Sequence, residues 1–415
     1  MERPSPARRR AALLALALGG FTIGLTEFVA MGLLPEMARS LLPSQYAHSS
    51  SAAVGHTGWA ITAYALGVVV GAPTIAALTA RVPRKRLVIG LLVLFAVGTV
   101  ASAVAPTFPL VLVARFVAAL PHGAYFGAAG IIAATLLGEG SQAKGFAVVL
   151  GGLTAANIFG VPLITGLGQA TSWRVAYLAI AVMFVLTLLA VLATVPSIAA
   201  APEGSPRAEL RAFRTPQVWL AAAVASIGFA GFFSVYSYIA PVTTQVAGVS
   251  SSVVPWVLVV IGVGMTVGNL LGGVAADRNL QRTILLGIAG SIAAVTFFGV
   301  AAHNPVGLFV AAFLVGAASL FVAPGFQSRL ISVAPGAQLM GAAVNQSATN
   351  VANSLGAALG GLVIAHGYGY TSPAWVGVCL GLIGLTLAMF SFRLDTPAEV
   401  VIETATAASI GAELA

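Results

Sequence analysis

The chain has 415 residues, of which 59% are hydrophobic and 7% charged, with a mean hydropathy of +1.00. A soluble domain carries roughly 25% charged residues, so this composition excludes water as the main solvent. The formal charge of +8 does not indicate nucleic acid, because the basic residues fall between apolar segments instead of forming a patch on a soluble fold; a single cysteine, Cys379, excludes an internal disulfide or a multi-thiolate metal centre.

About 20 apolar residues cross a bilayer. The chain divides into twelve such segments with short polar breaks, at 11–35, 57–80, 87–105, 108–132, 142–167, 174–195, 218–241, 253–276, 283–302, 306–332, 339–366 and 374–393. Lipid offers the backbone no hydrogen-bond partner, so each segment is read as a helix and the fold class as all-α and integral to the membrane. The first segment follows Arg8, Arg9 and Arg10, in the basic-then-apolar order of a signal peptide. Its apolar run continues to Leu34, too long for a signal core, and reads as a retained transmembrane helix.

Glu27, in the first segment, is the sole acidic residue well inside a span. An ionisable group at that depth costs about 2.5–3.5 kcal/mol on insertion scales and marks a functional site by default. Glu27 lies eight residues before Pro35, and Arg115 in the fourth segment lies seven after Phe108. At 1.5 Å per residue both sit roughly 10–12 Å below the same surface, a depth at which they can pair. Glu27 is then either a proton-coupling carboxylate or half of a static ion pair, and Arg115 either functional or a snorkelling anchor. His122 shares a helix face with Arg115 at a spacing of seven. It is either a proton relay or a neutral ring bonded to a neighbouring helix, while Pro121 leaves the Val117 carbonyl in need of a donor. In the fifth segment Asn157 either lines a cavity or steadies the backbone beside Gly160 and Pro162.

The clearly polar stretch 196–216 is expected to link two halves, 1–195 and 217–415, with a short cytoplasmic tail at the end. The seventh segment carries Phe229, Phe232, Phe233, Tyr236 and Tyr238. Phe232 is expected at the substrate path, and Tyr236 and Tyr238 in an interfacial belt. Gly264, Gly268 and Gly272 are small-xxx-small steps of a helix contact. The eleventh segment holds Asn345, Gln346, Ser347, Thr349, Asn350, Asn353 and Ser354 within ten residues, with Gln346, Asn350 and Asn353 on one face at i, i+4 and i+7. Such side chains can simply knit helices together. Seven in three turns exceed that need, so the stretch is expected to face a wet cavity and, with Asn157 and Phe232, to bind substrate.

An even number of spans leaves both termini on one side. That side collects 16 of the 19 Lys and Arg residues: Arg3, Arg8, Arg9, Arg10, Arg81, Arg84, Lys85, Arg86, Lys144, Arg207, Arg211, Arg214, Arg278, Arg282, Arg329 and Arg393. Basic loops stay in the cytoplasm, so both termini are expected there. The halves are also related in sequence. A shift of 197 superposes Gly67, Gly71, Arg81 and Lys85 on Gly264, Gly268, Arg278 and Arg282, and a shift of 196 places Gly145, Asn157 and Gly160 on Gly341, Asn353 and Gly356. Parallel six-helix repeats with a site between them are a secondary-transporter pattern.

The loop GVAADRNLQR at 273–282 resembles the G-x-x-x-D-R-x-G-R-K signature of the major facilitator superfamily, and the resemblance spans essentially the whole chain. It implies two pseudo-symmetric six-helix bundles around a central cavity that helices one and four line. It also implies a cytoplasmic conformational latch at Asp277, Arg278 and Arg282, with Arg81 and Arg84 in the first-half copy. That copy departs from the signature, with Ala80 for the aspartate and Pro83 for the second glycine. Three stretches, LTEFVAMGLLPEMA at 25–38, RFVAALPHGAYFG at 115–127 and NIFGVPLITGLGQ at 157–169, are similar to the drug:proton antiporter branch and its sugar-efflux and chloramphenicol-efflux group.

The resulting expectation is a monomeric proton-coupled antiporter in the bacterial cytoplasmic membrane that exports a small neutral or weakly polar compound, such as a sugar or drug. Glu27, Arg115 and His122 would carry the coupling. Its partners would be lipid, protons and substrate, without nucleic acid, metal or cofactor, and the proton gradient would drive it. A proton symporter importing a nutrient shares the fold and is the alternative. A membrane enzyme needs a catalytic or metal constellation, which five scattered histidines and one cysteine do not supply.

Overall fold

The computed structural model describes residues 5–79, 82–138, 140–196, 215–334 and 338–395. Among them, twelve helices are long and apolar enough to cross a membrane: α1 Pro6–Leu41, α2 Ser50–Ile75, α3 Arg84–Val104, α4 Phe108–Leu137, α5 Lys144–Ala170, α6 Trp173–Thr194, α7 Pro216–Tyr236, α8 Ser251–Arg278, α9 Leu280–Ala301, α10 Pro305–Ser332, α11 Gly341–Ala365 and α12 Ser372–Arg393. The expected linker falls at 196–216, and 197–214 of it lie outside the described residues, as does the tail beyond 395.

Most boundaries move by only a few residues from the hydropathy reading, and the larger differences have local causes. The first helix was expected to end at Pro35 but runs on to Leu41, since an interior proline removes a single backbone donor. The connection after it is helical: Pro43–His48 is followed by Ser50–Thr57, whose first turn is capped by the Ser49 hydroxyl accepting from the Ala52 N–H at 3.2 Å. Helix α4 breaks into Phe108–Ala119 and His122–Leu137 around Pro121. The Val117 carbonyl that this proline abandons accepts from the Leu120 N–H at 3.3 Å in a tightened turn. In α5 the stretch Ala156–Gly160 is a π-turn, with the Val161 N–H reaching back to the Ala156 carbonyl just before Pro162. The seventh segment ends as a regular helix at Tyr236 and continues as the short pieces Ile239–Pro241 and Val242–Val246.

Helix neighbours repeat between the halves. In the first, α1 packs on α5 and α6, α2 on α4, and α3 on α6; in the second, α7 packs on α11 and α12, α8 on α10, and α9 on α12. The repeat extends to single atoms. A Cβ added to Gly67 would strike the Phe116 carbonyl, and one added to Gly264 would strike the Phe313 carbonyl, each pair 197 residues from the other. Gly145 likewise meets Ala134, and Gly341 meets Leu330, 196 residues on. At these crossings glycine is needed for backbone to touch backbone, so the shared glycines preserve a shared helix–helix distance.

The halves meet along two seams, α2 against α11 and α5 against α8. Gly55 faces the Gly361 carbonyl and Gly262 faces the backbone of Asn157. Phe28 of α1 meets Tyr236 of α7 at 5.7 Å between ring centroids. These approaches lie between the middle of the bundle and the end away from the termini.

Candidate functional site

Arg115 is fully buried on the first piece of α4, Phe108–Ala119. Its Nη1 donates to the Thr26 carbonyl at 2.6 Å and its Nε to the Ala60 carbonyl at 3.3 Å. The guanidinium lies 4.5 Å from the ring centroid of Tyr64 and 5.5 Å from that of Tyr177. Two carbonyls and two ring faces thus replace part of the water lost by this cation, whose Nη2 is buried without a hydrogen-bond partner among the described residues. Glu27, one residue beyond Thr26, is 6% exposed. Arg115, Tyr64 and Tyr236 lie within electrostatic range of it. Glu27 nevertheless forms no ion pair and no hydrogen bond among the described residues. The two charges share a depth, as their positions along the helices require, but the direct pair that the depth permits is not made. Arg115 binds the peptide preceding the carboxylate instead.

His122, 1% exposed, starts the second piece of α4, His122–Leu137. Its Nδ1 lies 3.3 Å from the Tyr64 hydroxyl on α2, and its Nε2 lies 3.3 Å from Gln346 Nε2 on α11. With the Gln346 amide donating to Nε2, the ring proton sits on Nδ1 and donates to Tyr64. The sequence placed His122 with the coupling residues and Gln346 with the substrate ligands. The structure joins them across the two halves, and Tyr64 links this bridge to Arg115.

Both halves contribute amides, and the second adds aromatic rings. Asn350 and Asn353 on α11 are 2% and 1% exposed. Asn350 Nδ2 donates to the Gln346 carbonyl at 3.0 Å, but Asn350 Oδ1 and both polar atoms of Asn353 are buried without a hydrogen-bond partner. On α5, Asn157 donates from Nδ2 to the Leu153 carbonyl at 3.2 Å and leaves Oδ1 unpartnered. A buried polar group without a partner costs about 1–3 kcal/mol, which singles these amides out as candidate ligand-binding groups. Phe232, 1% exposed, is stacked between Phe229 at 5.6 Å and Tyr236 at 5.1 Å, and Phe28 extends the column into the first half. It is thus inside an aromatic column and not on an open wall.

Tyr236 and Tyr238 are not belt residues. They are 1% and 0% exposed, and the Tyr238 hydroxyl donates to the Ala357 carbonyl at 2.5 Å. Periodicity also missed Tyr64 and Tyr177, the platforms of Arg115. A tyrosine mid-span is itself a signal, because its hydroxyl needs a buried partner.

The residues expected to form a latch stand apart from this centre. Asp277, Arg278 and Arg282 are exposed at the end carrying the termini, and none forms an ion pair among the described residues. The turn they flank is held by Asn279, whose Oδ1 accepts from the Arg282 N–H at 2.8 Å. Arg84, 6% exposed, opens α3, and Arg81 lies outside the described residues.

The sequence profile of the Major Facilitator Superfamily matches residues 16–278 and 232–412. The chain is 36% identical to the inner membrane transport protein YdhP of Escherichia coli (strain K12) over 384 residues, covering 92% of this chain and 96% of that one. It is 32% identical over 387 residues to a chloramphenicol resistance protein of Streptomyces lividans, covering 92% and 96%. Among solved structures, a bacterial homolog of the human lysosomal transporter Spinster superposes with a TM-score of 0.74 at 16% identity, covering 94% of this chain and 98% of that one. A D-xylose-proton symporter gives 0.73 at 16% identity, covering 93% and 98%. These two share the fold. With the profile matched over most of its length, the chain is a multi-pass membrane transporter that belongs to the major facilitator superfamily.

Proposed function

We propose that the protein is a proton-coupled antiporter that exports a small neutral or weakly polar compound by alternating access across the bacterial inner membrane, as a single chain with both termini in the cytoplasm. The observation that carries this reading is Glu27, an acid buried in α1 beside Arg115 with no ion pair or hydrogen bond among the described residues to consume it. A carboxylate left in that state can bind a proton from one side and release it to the other as exposure alternates. Arg115 keeps a fixed positive charge nearby, held by carbonyls that do not titrate. One proton moving down about 100 mV supplies about 2.3 kcal/mol, enough for a substrate gradient of roughly 50-fold. The buried amides of Asn157, Asn350 and Asn353 supply hydrogen bonds without charge, which supports a neutral ligand. The resistance named for the Streptomyces relative supports export.

The test uses everted vesicles with an imposed pH gradient and a panel of sugars, phenicols and nucleosides. A compound should accumulate in the wild type. Glu27→Gln should lose that accumulation while still exchanging the compound by counterflow. Uphill transport at the wild-type rate by Glu27→Gln would reject the coupling role, and proton-driven movement in the opposite direction would make the protein an importer. Orientation is checked separately: in a Cys379-free background, Ser50→Cys should label from outside intact cells and Gln281→Cys only from inside.

A further inference from the structure

An apolar groove of about 660 Å³ opens on the first half, between α5 and α6 with α1 as its floor, at the end carrying the termini. It turns away from the packed interior of the bundle. The buried side of α1 at Leu16 and Gly19 is covered by Tyr125 of α4, whose hydroxyl donates to the Leu16 carbonyl at 3.0 Å, whereas Leu14, which lines the groove, is 70% exposed. From Ala11 to Phe21 the groove follows ten residues of helix, about 15 Å at 1.5 Å per residue. That is half the thickness of a hydrocarbon core of about 30 Å, or one leaflet.

The mouth of the groove is basic. Arg10 precedes Leu14 by four residues and Ala17 by seven, so it stands on the groove face of α1. Lys144 precedes Val148 by four and Gly151 by seven, which places it on the groove face of α5. Arg8 Nε donates at 3.4 Å to the carbonyl of Thr194, which lines the groove on α6, and Lys85 Nζ donates at 3.2 Å to the Leu192 carbonyl nearby. Four cations from three helices, α1, α3 and α5, therefore ring the open end of an apolar slot one leaflet deep. We infer that this groove is a binding site for one anionic phospholipid of the leaflet at the termini end, with an acyl chain against α1 and Gly151 and the phosphate among Arg8, Arg10, Lys85 and Lys144. Single-chain depth favours a lipid tail, and the charge ring favours an anionic head over a zwitterionic one.

Gly151 provides a clean test, because it lines the groove and a Cβ added there meets no atom within 4 Å. The full-length protein, purified with detergent from vesicles of equal phosphatidylglycerol and phosphatidylcholine, is assayed for retained lipid by native mass spectrometry. One phosphatidylglycerol per chain should be retained in preference to phosphatidylcholine. Each of Arg10→Gln and Lys144→Gln should lower that preference about fivefold, and Gly151→Leu should abolish retention of either lipid. Equal retention of both lipids by the wild type would overturn the inference, as would phosphatidylglycerol retention by Gly151→Leu at the wild-type level. A melting temperature measured on each variant separates loss of lipid from loss of fold.

Discussion

The two halves share a helix scheme and differ in what they bury. Arg115 in the first half corresponds, at a shift of 197, to Ala312 in the second, and Tyr64 corresponds to Ile261. Glu27 corresponds to Val224. The glycine crossings hold at the same atoms in both copies, while the ionisable centre exists in one. Amides are distributed differently: Asn157 and Asn353 are repeat equivalents, each buried with an unpartnered atom. The scaffold of the repeat depends on backbone distance, which glycine fixes in either half. Its chemistry depends on single side chains, each of which can change in one copy without moving a helix. The His122–Gln346 bridge joins the two halves across this difference.

The comparison can be broken most severely at Arg115. Arg115→Leu removes two hydrogen bonds from a charged donor, worth about 1.5–3 kcal/mol each, and two ring contacts. Folded yield and melting temperature in detergent should both fall sharply, with a loss of about 3 kcal/mol or more. A variant that melts like the wild type would show that the first half tolerates the apolar pattern of the second.

Asn353 should behave in the opposite way. Both of its polar atoms are buried without partners, so Asn353→Leu should leave stability unchanged or raise it by about 1 kcal/mol. Affinity for a polar substrate should fall at least about tenfold, the equivalent of one lost hydrogen bond of about 1.4 kcal/mol. Loss of stability without loss of affinity would return Asn353 to helix packing.

A double-mutant cycle sharpens the junction between the halves. His122→Phe and Gln346→Leu should couple by about 0.6–1.7 kcal/mol, the range for hydrogen bonds between membrane helices. Thermal unfolding of the four proteins measures it, and additivity would mean that the bridge holds nothing. The smallest stability change is expected at exposed Asp277. Asp277→Asn should alter stability by no more than about 0.5 kcal/mol, yet slow turnover several-fold with substrate affinity kept within a few-fold. Lost affinity at normal turnover would move Asp277 from latch to binding site.

Much of the site was visible in the residues themselves. Glu27 and Arg115 stand out because charge is costly at their depth, and the α11 amides because seven polar groups in ten residues have no apolar explanation. The direct Glu27–Arg115 pair was a reasonable expectation from depth alone, but depth says nothing of rotation about a helix axis. That rotation turns Arg115 onto the Thr26 and Ala60 carbonyls. It also buries Tyr236 and Tyr238, which lie near a helix end and so look like belt residues in the sequence.

Hydropathy by itself determined the solvent, the twelve spans and the depth of each ionisable group, because transfer into lipid is a sum over local residues and large compared with thermal energy. Repetition of glycines determined the pairing of halves, since those crossings admit no larger side chain. Only the tertiary structure decided which polar groups meet: His122 with Gln346, 224 residues apart, Tyr64 with both His122 and Arg115, and Glu27 with no ion-pair or hydrogen-bond partner among the described residues. Each such contact is worth only about 0.6 kcal/mol on average within a bilayer, too little to leave a mark on the local pattern. It arises from the rotation and tilt of helices that the whole bundle sets together.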